Sequence, residues 1–209
     1  MELSFYGANC LRLATRKATI AVDDNLAAVG LKAITKPDDI SLRTSVKLIP
    51  KHDSARFSAD MPGEYEMSGV VIHGVAAKAH MDKEGEHTAV IYTVEADDLK
   101  VAVIGHIYPE LSDDQLEQIG LVDIAVIPVG DSGYTLDGAG ALKIIKALEP
   151  KVVIPTHYAD KAVKYEVPQV ELAEALKNLG MEPAETLDKY RPKPAELTDT
   201  TRLIVLNRQ

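Results

Sequence analysis

The run Val122 to Val129 (VDIAVIPV) is apolar at almost every position. An alternating strand can rest one face on a core and leave the other in water. A continuous apolar strand needs cover on both faces, and so belongs inside a layered fold. Val152 to Pro155 has the same character. Between the two, Asp137 caps a predicted helix whose Leu142, Ile145 and Leu148 recur at helical spacing, and Pro150 ends it.

The first half of the chain is strand-rich. Leu3 to Tyr6, Leu11 to Ala14, Ala18 to Val22, Lys32 to Thr35 and Val46 to Ile49 are short runs broken by Gly, Asn, Asp and Pro. Gly69 to Ala77, Thr88 to Glu95 and Lys100 to Ile104 follow, the last two joined by a hairpin turn at Ala96-Asp97-Asp98. Ser112 with Gln115 forms a capping-box pattern for a short helix. Pro168, Leu172, Leu176, Leu179 and Gly180 mark another. Residues 183–198 read as a surface excursion, and Arg202 to Leu206 as a closing strand. Strands first, then strand and helix in alternation, predict an α/β fold: one domain over residues 1–209, a four-layer αββα sandwich.

Composition excludes some functions. The formal net charge of -9 is a poor match for a nucleic-acid backbone or an anionic membrane surface. No run approaches the roughly 18 apolar residues that span a bilayer. The N-terminal residues read as a strand rather than a leader, and Cys10, the single cysteine, excludes an internal disulfide. The expected location is cytoplasmic.

Candidate chemistry gathers at strand ends. His80, His106 and His157 each follow a predicted strand, as do Asp23 with Asp24 and Asp38 with Asp39. Strand ends lie at one rim of such folds, where sites are commonly built. The plainer reading is that loop histidines are solvated and that aspartates after strands form turns. His52, His73 and His87 have no such placement and are read as structural.

Several blocks then point to a family. Pro62-Gly63-Glu64-Tyr65-Glu66 with Ser68-Gly69-Val70 resembles a PGEYE-x-x-GV signature, and Phe5 to Cys10 a Y-L-G-H-S-C start. Asp123 to Gly130 with Tyr134 to Asp137, and Leu148-Glu149-Pro150 with Pro155-Thr156-His157-Tyr158, resemble two more blocks in family order. The family is the metallo-β-lactamase-fold superfamily, in its branch of Zn-dependent hydrolase-like proteins, and the resemblance implies the same αββα sandwich. It also implies an H-x-H-x-D-H metal loop, which matches Thr35 to Ser41 here, with Lys36 and Asp38 at the first two histidine positions and Ile40 and Ser41 at the Asp-His pair. Lysine and isoleucine cannot ligate zinc. The implied bridging aspartate is His106, and the histidine of the G-H-S start is Ala8.

Three readings follow. The first is a pseudoenzyme that has lost the dinuclear zinc site, needs no cofactor and acts by binding or assembly on an unidentified small molecule or protein. The second is a mononuclear hydrolase of esters, lactones or phosphoesters. There His80, His106 and His157 would hold one zinc or other divalent metal, with Asp38 or Asp23 as general base. The third is a metal-free anion site built on Lys36 with the histidines. Homo-oligomerisation is left open. Glu64 and Glu66 are read as turn carboxylates bonded to backbone amides, Gly130 to Gly133 as only loosely like a phosphate-binding loop, and Cys10 as core packing.

Overall fold

In a computed structural model, described for residues 1–46 and 54–209, the apolar runs of the second half lie at the centre of an eight-stranded sheet. Its strands are β6 (Gly63–Met67), β7 (Val70–Ala77), β8 (Ala89–Ala96), β9 (Leu99–Val103), β10 (Ile124–Pro128), β11 (Val152–Thr156), β12 (Pro183–Leu187) and β13 (Arg202–Leu206). Their spatial order is β12-β13-β11-β10-β9-β8-β7-β6. The pairs from β12 to β9 are parallel, and those from β9 to β6 antiparallel. Every residue of β10 and β11 is buried, as a strand covered on both faces requires. The β8–β9 turn has Asp97 and Asp98 both at positive φ, the backbone that a two-residue hairpin needs.

A second sheet of five strands packs against the first: β1 (Glu2–Gly7), β2 (Cys10–Ala14), β3 (Thr19–Val22), β4 (Ile40–Leu42) and β5 (Phe57–Ala59) in sequential order. The layer between the sheets joins Leu3, Phe5, Leu13, Ile20 and Leu42 to Ile72, Tyr92, Val126 and Ile154. The outer face of the eight-stranded sheet carries α1 (Asp113–Ile119), α2 (Gly138–Leu148) and α3 (Leu172–Leu179), which bury Ile119, Ile144, Leu148 and Leu176 against Ala102, Ile127 and Val153. Ser112 caps α1 with its capping box closed by Gln115, and Asp137 caps α2. Among the described residues no helix packs on the other sheet's outer face. A 3₁₀ turn (Leu26–Val29) and the extended loop 31–39 lie on that side instead.

Several expectations change. Lys32 to Thr35 is loop rather than strand. Its backbone is captured by Asp24, whose Oδ2 accepts from Ile34 N, Thr35 N and Thr35 Oγ1, leaving no amide of Ile34 or Thr35 for a ladder. Pro168 does not begin a helix. Residues before Leu172 are held extended by Val170 N to Gly130 O and Ala159 N to Val170 O, and Glu171 is the cap. The stretch 183–198 contains the edge strand β12, exposed on its outer side. Glu64 and Glu66 stand exposed on β6, and their carboxylates make no hydrogen bond among the described residues. Positions 47–49 of the expected strand Val46 to Ile49, and His52, lie outside the described residues.

The ends of the described chain meet. Leu3 and Tyr190 exchange backbone hydrogen bonds of 2.8 and 3.0 Å, and Gln209 N donates to Phe5 O at 2.9 Å. Residues 190 and 209 thus close the open side of β1.

Candidate functional site

Parallel strands carry their C-terminal ends to one rim, and the loops leaving β3, β4, β9, β10 and β11 meet there. Asp23 follows β3, Thr44 follows β4, His106 follows β9 and His157 follows β11. The approach is tight. A Cβ on Gly105, at φ +67°, would lie 2.4 Å from Thr44, and one on Gly130 would lie 2.1 Å from the His157 carbonyl. Only glycine lets these loops touch.

His106 and His157 form the centre. Their rings meet edge to face, with centroids 4.8 Å apart and planes at 89°. Tyr134 stands 5.4 Å from His106, and Tyr165 stands 5.0 Å from His157. Burial holds both imidazoles neutral: the His157 pKa falls to about 4, and that of His106 lies well below its ordinary value, with His157 and His80 adding to the effect. His157 has φ +55°, a conformation that costs a non-glycine residue roughly 1–2 kcal/mol. Its backbone N–H donates to the Ala8 carbonyl at 2.8 Å.

Hydrogen bonds fix the tautomers. Gln169 Nε2 donates to the Val167 carbonyl, so its Oε1 faces His157 Nδ1 at 3.1 Å and accepts that proton. The Nε2 of His157 is then a bare lone pair. His80 Nδ1 donates to the Ile107 carbonyl at 2.9 Å, leaving its Nε2 in the same state. Neither ring nitrogen of His106 has a hydrogen-bond partner among the described residues, although both are buried. An orphaned buried polar group costs about 1–3 kcal/mol.

Beside the pair runs a buried polar network. Asp23 Oδ2 accepts from Asn9 Nδ2 at 2.7 Å and from Thr44 Oγ1 at 2.6 Å, while Oδ1 accepts from Thr44 N at 2.7 Å. Thr156 Oγ1 donates to Asn9 Oδ1 at 2.6 Å. The Asp23 pKa is raised to about 6, because desolvation outweighs the hydrogen bonds from Thr44 and Asn9. With both oxygens committed and the residue fully buried, Asp23 is a strut joining the rim loops rather than a base facing solvent.

The sequence-predicted residues therefore divide. His106 and His157 come together, and His80 is near enough for His106 to feel its charge. Asp38 and Lys36 do not join them. They lie exposed in the loop that precedes β4, whereas the rim-side connection leaves β4 at Arg43, so Thr35 to Ser41 is not the loop at the rim. Lys36 lines a separate cleft that no histidine lines. Tyr134, Tyr165, Gln169, Asn9, Thr44 and Thr156 went unpredicted as site residues. Asn9, Tyr134 and Thr156 lie in the recognised blocks, the signal by which they could have been found.

A zinc site with an open position for chemistry takes three protein ligands. Among the described residues no three His, Cys, Asp or Glu side chains converge to hold a metal, and the rim carboxylate Asp23 is saturated by hydrogen bonds. The described donors do not fit a dinuclear group.

Comparison with known proteins agrees with the fold. Residues 2–157 match the family described as the Beta-lactamase superfamily domain. A UPF0173 metal-dependent hydrolase of Thermococcus onnurineus is 27% identical over 134 residues, which cover 57% of this chain and 59% of that protein. One from Archaeoglobus fulgidus is 26% identical over 119 residues, 54% of this chain and 51% of that protein. The matches thus span little more than half the length of these relatives. Among solved structures, a candidate Zn-dependent hydrolase of the metallo-β-lactamase superfamily from Thermotoga maritima superposes with a TM-score of 0.75 at 23% identity, covering 99% of this chain and 98% of that one. The metallo hydrolase Igni18 from Ignicoccus hospitalis gives 0.60 at 17% identity, covering 97% and 94%. At these identities the likeness is one of fold.

Proposed function

The chain belongs to the Beta-lactamase superfamily domain family, and from that premise we propose that it has given up the family's dinuclear metal centre and works by binding a small ligand at the His106–His157 pair. The observation that supports this most is the state of the donors. The carboxylate beside the histidines is locked into three short hydrogen bonds, and the two imidazoles are neutral and meet edge to face. The cluster, edged by Tyr134 and Tyr165, carries no net charge and offers lone pairs at His157 Nε2 and at one nitrogen of His106, with an N–H on the other nitrogen of His106. It suits a small neutral molecule that both donates and accepts hydrogen bonds.

One observation favours a second reading, a single divalent metal. His106 has two buried, partnerless nitrogens, and His157 and His80 each turn a lone pair outward from an Nδ1–H bond, the arrangement that commonly orients histidine ligands. His106 and His157 would then hold the ion, with His80 joining as third ligand only if its side chain moved, since no three ligands converge among the described residues. Such an ion supplies a Lewis acid for hydrolysis of an ester, lactone or phosphoester. Asp38 is too remote in the fold to serve there as base, and Asp23 is too fully bonded.

The deciding experiment is metal analysis by inductively coupled plasma mass spectrometry on untagged protein, after incubation with excess zinc and desalting, beside a His157→Ala variant. Background metal in both is the expected result. Near-stoichiometric metal in the wild type that disappears in the variant overturns the binding reading and establishes the second.

A further inference from the structure

We infer that the chain carries a second binding site, on the outer face of the five-stranded sheet, for a small organic anion whose carboxylate meets Lys32 and Lys36 and whose apolar body lies against Leu31 and Ile34. The site is a cleft of about 720 Å³ under the loop 31–36, within the size range of small-molecule pockets.

Its charge is the first argument. The chain has 32 acidic and 23 basic residues, yet four basic side chains, Arg12, Lys32, Lys36 and Arg208, line this cleft and no acidic side chain does. Two are already matched: Arg12 Nη2 pairs with Asp39 at 2.9 Å, and Arg208 with Asp160. Lys32 and Lys36 have no acidic partner among the described residues. The cleft therefore presents two uncompensated ammonium groups on an otherwise acidic protein, a local field that favours an anion.

Its construction is the second. The inner wall is fixed rather than loose. Asp24 takes both amides and the hydroxyl of Ile34–Thr35, and Arg12 Nη1 donates to the Ile34 carbonyl at 3.1 Å. That holds the chain of Ile34 in place while Leu31 N donates to Leu26 O at 2.9 Å. Apolar side chains from this fixed wall line the same cleft as the two lysines. A wall of this kind gives an inorganic ion little, and favours an anion with a hydrocarbon part.

Because none of the rim histidines lines the cleft, the two sites are separable. Isothermal titration calorimetry at low ionic strength tests the assignment with octanoate, octan-1-ol and inorganic phosphate against wild type, Lys32→Glu/Lys36→Glu and His157→Ala. Both lysines are exposed, so the double variant keeps the fold, which thermal melting by circular dichroism verifies. The expected result is saturable octanoate binding, weakened at least tenfold in the double variant and unchanged in His157→Ala, with octan-1-ol and phosphate each at least tenfold weaker. Failure to saturate, equal binding by the double variant, or octan-1-ol or phosphate binding as tight as octanoate overturns it. Loss of octanoate binding in His157→Ala also overturns it, by placing the ligand at the rim.

Discussion

His157 Nδ1–H donates a hydrogen bond to Gln169 Oε1, and Gln169 is itself oriented by the Val167 carbonyl. Gln169→Leu should release that constraint. In the wild type, ¹⁵N chemical shifts should show a single Nδ1–H tautomer for His157. In the variant both tautomers should be populated, with a stability loss of about 1 kcal/mol for one half-buried hydrogen bond.

Gly105 and Gly133 share φ +67°, but only Gly105 faces a neighbour, Thr44, while Gly133 has open space. Alanine at either position carries the left-handed backbone cost. Alanine at Gly105 adds overpacking, typically about 1–3 kcal/mol. Urea unfolding should rank Gly105→Ala below Gly133→Ala by that margin, and equal values would refute the close approach of the β4 and β9 loops.

Acid should act on the rim in two opposed ways. Asp23 is raised to about 6 when folded, above its unfolded value near 3.9, so its contribution to stability is lost as pH rises through 6 and regained on acidification. His157 is lowered to about 4, below its unfolded value near 6.5, so its contribution is lost as pH falls from 6.5 towards 4; His106 acts in the same direction. Two histidines oppose one aspartate, and the wild type should lose stability between pH 7 and pH 5. Asp23→Asn removes the compensating group, and its loss over that interval should exceed the wild type's by on the order of 1 kcal/mol. Parallel pH curves for the two proteins would contradict the buried, protonatable Asp23.

Asp24 is the acceptor for the amides of Ile34 and Thr35. Asp24→Ala should therefore speed hydrogen exchange at those two residues by orders of magnitude. The amides of β2 and β3, bonded within the sheet, should stay protected.

What the sequence made legible follows from where the information lies. Val152 to Thr156 and Ile124 to Pro128 are buried on both faces, and their composition alone says so. The caps at Ser112 and Asp137 depend on residues three apart, and were readable for that reason. β4 has only three residues, with Ser41 at its centre, and exists because β3 and β5 flank it in parallel. No local pattern carries that pairing, and Thr35 to Ser41 was consequently placed at the rim when it leads into the strand's other end. His106 and His157 were found because a strand end is a local signal. Gln169 was not, because its role depends on a loop returning across Gly130, thirty-nine residues after the Gly130 it passes.

Residues 190 and 209 complete the pairing of β1, which is made long before them. On the ribosome the five-stranded sheet must wait, with the β1 edge open, until residues 190–209 have emerged. Its closure joins Phe5 to Gln209, a contact of very long sequence separation, and such contacts form late. The interval before it closes is when the β1 edge is exposed to pairing with another chain, so the yield of soluble protein during synthesis should depend more on residues 190–209 than their small share of the core indicates.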